Sequence, residues 1–279
     1  MRKLGICFAI IFQFVGCKTQ DRNQNLSPDE NMIAANTLLL SPMNVAMAFA
    51  NHQLDEVLDY QISMNTFDTT LLDGTPYAAA IDFGVSSLGK DGHKRGGVWM
   101  IQWNENLVGE IDTVWMSLAA NYADTGYQNV RLSWNNEDVY TNGLLQLVRN
   151  KNQFTIHVDL ALYTAQFKIS SKLEVGALLK NPQLQDPSVW DQTEFVWKGD
   201  VSETLRSSND QFQYEIRSEN LSRKSSFLKG ISKGRLICNQ LQKSEETEFV
   251  IDFDPFGDEP SDEIALYKKG RTERLITLW

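Results

Sequence analysis

Residues 97–103 read GVWMIQW. In an extended chain Trp99, Ile101 and Trp103 fall on one side and Val98, Met100 and Gln102 on the other, because successive strand side chains point to opposite faces. The same period of two returns in NVRLSW at 129–134, where Val130, Leu132 and Trp134 stand against Asn129, Arg131 and Ser133. It returns again in FTIHV at 154–158, with Phe154, Ile156 and Val158 opposite Thr155 and an outward His157. Between the runs lie Asn135-Asn136, Asn142-Gly143 and Lys151-Asn152. Asn-Gly suits a type I′ hairpin turn, which needs positive φ at both central residues, so a turn is expected at 142–143. Closely spaced alternating runs predict a mainly β protein of antiparallel sheets, in a sandwich or barrel-like body, with a short N-terminal helix. Most of the seven tryptophans are expected in its core; a few on one exposed face would make a platform for sugar rings.

Upstream of residue 77 the texture differs. MNVAMAFANHQLDEVLDYQI at 43–62 places Val45, Phe49, Leu54, Val57 and Leu58 at helical spacing after a Ser41-Pro42 start signal. A helical segment is expected within 41–76, with His52 at its surface, ahead of a β domain over 77–279 that has room to divide into two halves near 180–190.

The chain opens MRKLGICFAIIFQFVGCKTQ. Arg2 and Lys3 precede an apolar run of twelve residues, Leu4 to Val15, broken only by Gln13; a membrane-spanning helix needs about 20. Basic end, short apolar stretch and small residue before the break predict a signal peptide over 1–16. Phe14-Val15-Gly16-Cys17 resembles the bacterial lipobox, with Phe14 where Leu is usual, and the resemblance implies that Cys17 is lipid-modified. Each buried methylene of such an anchor contributes about 0.8 kcal/mol to membrane binding. The polar run that follows predicts a flexible stalk over 17–40.

Composition narrows the function. Loss of Arg2 and Lys3 with the leader takes the formal charge from −10 to −12, the wrong sign for a phosphate-neutralising surface, so nucleic acid is excluded as a partner. Apolar residues make up 42% of the chain, enough for a globular core. With Cys7 in the leader and Cys17 lipidated, Cys238 is left alone and is expected to be a small buried side chain. GVSSLG at 84–89 is not G-x-S-x-G, and His52, His93 and His157 form no zinc pattern. Acidic pairs such as Glu110 with Asp112, or Asp258 with Glu259, would serve glycoside hydrolysis only at a set separation across a cleft.

AIDFGVSSLGKDGHKRGGVWMIQW at 80–103 and VIDFDPFGDEPSDEIALYKKGRTERLITLW at 250–279 share Ile-Asp-Phe, a Gly- and Asp-bearing turn and a strand ending in Trp. The first stretch resembles the IDFG…DG..R.G pattern of uncharacterised lipoproteins common in Bacteroidetes. TEFVWKG at 193–199, FLKGISKG at 227–234 and the closing IDF…G…ITL fall in the same order. The resemblance spans about residues 77–279 and implies a β-rich envelope lipoprotein; it brings no catalytic residues. Members often carry a cysteine beside the Asp of the second acidic turn, where this chain has Phe256-Gly257-Asp258.

Asp82 and Asp252 are expected to accept hydrogen bonds from turn amides, and Arg95 to pair bidentately with Asp82 or Asp91. DFDPFGDEPSDE at 252–263 also offers calcium candidates in Asp252, Asp254, Asp258 and Glu263, at EF-hand-like places, although Phe256 and two prolines interrupt the pattern. No other cofactor is implied. Together these readings predict a lipid-anchored protein of the cell envelope, on the outer membrane with its leaflet open. It would act as a non-enzymatic structural or ligand-binding module, with an envelope protein or glycan as partner. An envelope hydrolase acting on glycans and a calcium-binding surface protein are the alternatives.

Overall fold

The computed structural model describes residues 27–52, 54, 63–67, 77–106, 109–118, 130–134, 137–179, 193–223, 230–241, 247–255 and 264–277. Two helices come first, α1 (Pro28–Leu38) and α2 (Leu40–Ala50). The first group of strands is β1 (Ser63–Phe67), β2 (Tyr77–Asp82), β3 (Ser87–Leu88), β4 (Lys94–Gly96), β5 (Val98–Glu105), β6 (Ile111–Ser117), β7 (Arg131–Trp134) and β8 (Glu137–Asn150). The second is β9 (Gln153–Tyr163), β10 (Phe167–Leu179), β11 (Thr193–Leu205), β12 (Gln211–Ser222), β13 (Lys233–Gln240), β14 (Thr247–Asp252), β15 (Ile264–Lys269) and β16 (Thr272–Thr277). All pair in one antiparallel sheet, so the mainly β architecture expected from the alternating runs is what the chain adopts.

From β8 to β16 the sheet is an uninterrupted meander. It does not break near 180–190, since β10 and β11 pair from Phe167↔Leu205 through Leu179↔Thr193; residues 180–192 themselves lie outside the described ones. At β8 the sheet forks: Glu137–Tyr140 pair with β7, and Leu144–Val148 pair with β6. Thr141 sits in the fork fully buried, and its hydroxyl donates to the Leu118 carbonyl at 2.9 Å. That bond satisfies a carbonyl which would be costly to bury unpaired.

One face of the long strands is apolar throughout. Phe154, Ile156, Val158, Leu160 and Leu162 alternate with exposed residues along β9. Trp99 and Trp197 are among the largest fully buried side chains, with Phe83 packed 4.7 Å from Trp99. The inner face closes on the helices. Pro28–Ala50 is apolar and, at 23 residues, long enough by length and composition to cross a membrane, yet it is wholly buried in the body. A helix buried on all sides must be apolar all round.

Three expectations are corrected. Residues 28–40, read as part of a stalk, are helical: Ser27 caps α1 through a capping box with Glu30, and Pro28 occupies the first turn. Pro42 splits the helix, because its ring cannot coexist with a helical carbonyl four residues back, at Leu38. Second, the interval 41–76 is not helical throughout: α2 ends at Ala50, His52 has φ 56°, residue 54 is again helical, residues 55–62 lie outside the described ones, and β1 occupies Ser63–Phe67. Third, Asn142-Gly143 is not a hairpin turn but the middle of β8. Gly143 has φ 144° because a Cβ there would overlap the Asp159 carbonyl oxygen, and Gly199 in β11 repeats this against Lys172. The turn joining β8 to β9 is Lys151-Asn152, with Lys151 at φ 58°. Residues 1–26, including the leader and Cys17, lie outside the described residues, as do Asn135-Asn136.

Candidate functional site

Polar groups gather in four places: two inside the sheet and two on its surface. The first surrounds the start of α1. Asp29 accepts Tyr214 at 3.2 Å on Oδ1, and Tyr267 and Lys269 at 2.7 Å each on Oδ2. Glu203 reaches the same region because Phe195, Trp197, Val201 and Glu203 occupy inward places of β11. It is 0% exposed; its Oε1 accepts Asn31 Nδ2 at 2.8 Å and its Oε2 has no partner. Burial pushes the Glu203 carboxyl up to about 7, against the Asn31 hydrogen bond and with help from the Asp29 charge. Burial likewise pushes the Tyr214 and Tyr267 hydroxyls and the Cys238 thiol upward. A thiol held protonated is a poor nucleophile.

The second place joins the β3–β4 turn, α2 and the end of β12. Arg95 grips Asp91 with both terminal nitrogens, at 2.8 and 2.5 Å, and donates to the Ser41 carbonyl. Asn44 donates to Asp91 at 3.0 Å and accepts Arg223 at 2.9 Å. Burial alone would raise Asp91; the Arg95 charge, then His93, and hydrogen bonds from Arg95 and Asn44 outweigh it and hold the carboxyl below its usual range. This fork-to-fork pair is the bidentate contact expected of Arg95, made with Asp91. Asp82 instead accepts the Gly84 amide at 2.7 Å, closing its turn.

Asp252 repeats the Asp82 device. Its Oδ1 accepts the Asp254 amide at 3.3 Å and its Oδ2 takes Arg235 at 3.3 Å, while Phe83 and Phe253, the residues after each Asp, are both buried. Of the calcium candidates, Asp258 and Glu263 lie outside the described residues. Among the described residues no group of three or more potential ligands is placed to hold a metal.

The third place is a groove of about 810 Å³ on the outer face of the sheet, crossing β6 and β8–β12. Two rows of directly opposed residues line it. One runs Leu144, Asp159, Lys172, Asp200, Glu215; the next runs Trp115, Gln146, His157, Glu174, Lys198, Arg217. Along β11–β12 like charges face each other twice, Asp200 opposite Glu215 and Lys198 opposite Arg217. Such pairs weaken a sheet. Lys198 bridges Glu174 at 2.9 Å, and Arg217 bridges Glu248 at 3.5 Å, with all four side chains well exposed. The Lys198 hydrogen bond lowers the Glu174 carboxyl. Among the described residues Asp159, Lys172, Asp200 and Glu215 make no ion pair.

The fourth is a pocket of about 640 Å³ beside the β5–β6 and β8–β9 turns, where Glu110 and Asp112 meet Arg149, Asn106, Asn150 and Asn152. Glu110 is tied to Asn106 by hydrogen bonds in both directions, at 3.0 and 3.1 Å.

The acidic turns and the Arg95 pairing were legible in the sequence; Glu203 and the charge rows were missed. Glu203 had a signal, an acid on the apolar side of an alternating run. The rows had none, since they depend on register between strands. The class defined by these features is an antiparallel sheet curled about its own N-terminal helix, with a charged groove outside. Set against known proteins, the chain matches no family model, no curated protein and no solved structure.

Proposed function

We propose that this is a lipid-anchored protein of the cell envelope, held by Cys17, that binds a small polar ligand in its outer groove without transforming it. The observation that carries the reading is the groove itself: Asp200 faces Glu215 and Lys198 faces Arg217, two like-charge contacts that weaken the sheet, that Lys172 opposite Asp200 and the Glu174 and Glu248 bridges offset in part, and that a ligand would relieve further. The residues resembling Bacteroidetes lipoproteins, and the lipobox-like Phe14–Cys17, support the envelope address. Trp115 and Leu144 at the groove's end supply apolar surface beside the charges, the usual mixture in ligand sites.

The test is a melting-temperature screen against soluble envelope components: mixed muropeptides, lipid head groups and periplasmic glycans. An upward shift is expected with at least one class. It should vanish in Gln146→Trp, which fills the groove from a partly exposed outward position. A protein that serves only as scaffold would show no shift with any class.

One observation favours a second reading, glycan hydrolysis: Glu110 and Asp112 line a single pocket with Arg149 and three asparagines. Release of reducing sugar from envelope glycans by the wild type, abolished in Asp112→Asn, would establish it. The other carboxylates drawn together, Asp29 and Glu203, are buried.

A further inference from the structure

We infer that the quartet Lys198, Asp200, Glu215 and Arg217 receives a zwitterion bearing a phosphate and an ammonium, the chemistry of a phosphoethanolamine head group. The inference rests on the groove being the ligand-binding face and deepens that reading.

Consecutive outward residues on a strand stand about 7 Å apart. The quartet therefore presents two charge centres of opposite sign at the spacing of one short bifunctional molecule. Gly199 lies between them, without a side chain, on the floor of the groove. Its φ is 144°, and a Cβ there would overlap the Lys172 carbonyl oxygen, so the two strands approach closely at this point.

Each centre selects its own half of the ligand. Arg217 offers a planar fork and Lys198 a point charge, together two positive charges, which suits phosphate better than a single carboxylate. Asp200 and Glu215 are acceptors only and together can take the three N–H donors of an ammonium, in competition with Lys172, which stands opposite Asp200. A free phosphate would meet the two carboxylates one row away, and a free amine would meet the two cations. Either ion alone is repelled by the half it does not use. The bridges of Lys198 to Glu174 and Arg217 to Glu248 compete with the ligand, but both are exposed and so weak.

The experiment titrates the full chain by calorimetry with phosphoethanolamine, ethanolamine and inorganic phosphate at low salt, and by flotation with vesicles of phosphatidylethanolamine or of phosphatidylglycerol. Phosphoethanolamine should bind at least about tenfold more tightly than either single ion, and the double variant Asp200→Asn, Glu215→Gln should lose about that factor while remaining folded. Binding only to phosphatidylethanolamine vesicles would also uphold the inference and identify the source as lipid. Equal binding of ethanolamine or phosphate alone, or unchanged affinity in the double variant, overturns it. No binding of the head group in either form also overturns it; if muropeptides or glycans still raise the melting temperature through the groove, the broader reading survives, and if nothing does, both fall.

Discussion

The starts of α1 and α2 are buried in opposite electrostatic company. At the start of α1 the carboxylate of Asp29 takes the ammonium of Lys269, while Glu203 beside it has only the Asn31 amide and feels the Asp29 charge. Further along, one carboxylate, Asp91, faces the guanidinium of Arg95 at full burial, with Arg223 one hydrogen bond away through Asn44. Burial acts in the same direction on Glu203 and Asp91, toward the neutral acid. The neighbours decide the outcome, so Glu203 rises to about 7 while Asp91 falls. Depth alone therefore does not say whether a carboxyl inside this sheet carries charge.

The largest expected effect comes from breaking the cluster at the start of α2. Asp91→Asn keeps the shape but leaves Arg95 buried without its counter-ion, and sets an amide against the donors of Arg95 and Asn44. The expected loss is about 3–5 kcal/mol, read as a lower urea midpoint at unchanged slope. A loss under about 1 kcal/mol would mean the guanidinium is not held by this carboxylate, and the contrast between the two clusters would disappear.

The cluster at the start of α1 should respond in the opposite sense to the loss of its charge. The folded-state value of Glu203, about 7, lies above the ordinary glutamate value of 4.5. Its contribution is therefore complete below about pH 4.5 and is lost as the pH rises through 7, a fall on the order of 3 kcal/mol. Glu203→Gln should abolish that slope and make the protein more stable than wild type at pH 8. Asp91 works the other way: its value is lowered from 3.8, so its contribution is present above that pH and is lost on acidification. Urea unfolding at pH 4.5, 6 and 8 isolates the Glu203 slope, with a further point below pH 3.8 for Asp91, and an equal slope from pH 4.5 to 8 in wild type and Glu203→Gln would refute the assignment.

What the sequence disclosed divides along the same line. Alternation placed Trp99, Ile101, Phe154, Ile156 and Val158 correctly on the inner face, because period two is a property of one strand. The helix was placed too late because Leu38-Leu39-Leu40 follows a polar run, and that run hid a capping signal, Ser27 three residues before Glu30. Asn142-Gly143 misled because positive φ serves a turn and a kink equally well, and only the neighbouring strand decides which. The meeting of Glu203 with Asn31, 172 residues apart, depends on sheet curvature that no local pattern carries.

The smallest effect tests whether the start of α1 owes its position to the helix cap or to the buried carboxylates. The Glu30 amide donates to Ser27 Oγ at 3.4 Å, and the Ser27 amide donates to the Glu30 carboxylate at 2.8 Å; Arg274 holds the same carboxylate at 3.0 Å. Ser27→Ala keeps the amide half of that box but removes the hydroxyl's bonds to the Glu30 amide and, at 3.0 Å, to the Glu30 carboxylate, so a cost of about 1 kcal/mol is expected, and Ser27→Gly should cost a few tenths. Between pH 6 and pH 8, the interval in which Glu203 loses its proton, the cost should stay the same, because no bond of the Ser27 hydroxyl reaches Glu203. A Ser27→Ala penalty that grew across that interval would show that the cap and the buried acids act as one unit. Asp29 sits two residues from the cap and is tied to Tyr214, Tyr267 and Lys269, so any loosening of the first turn must be felt there first.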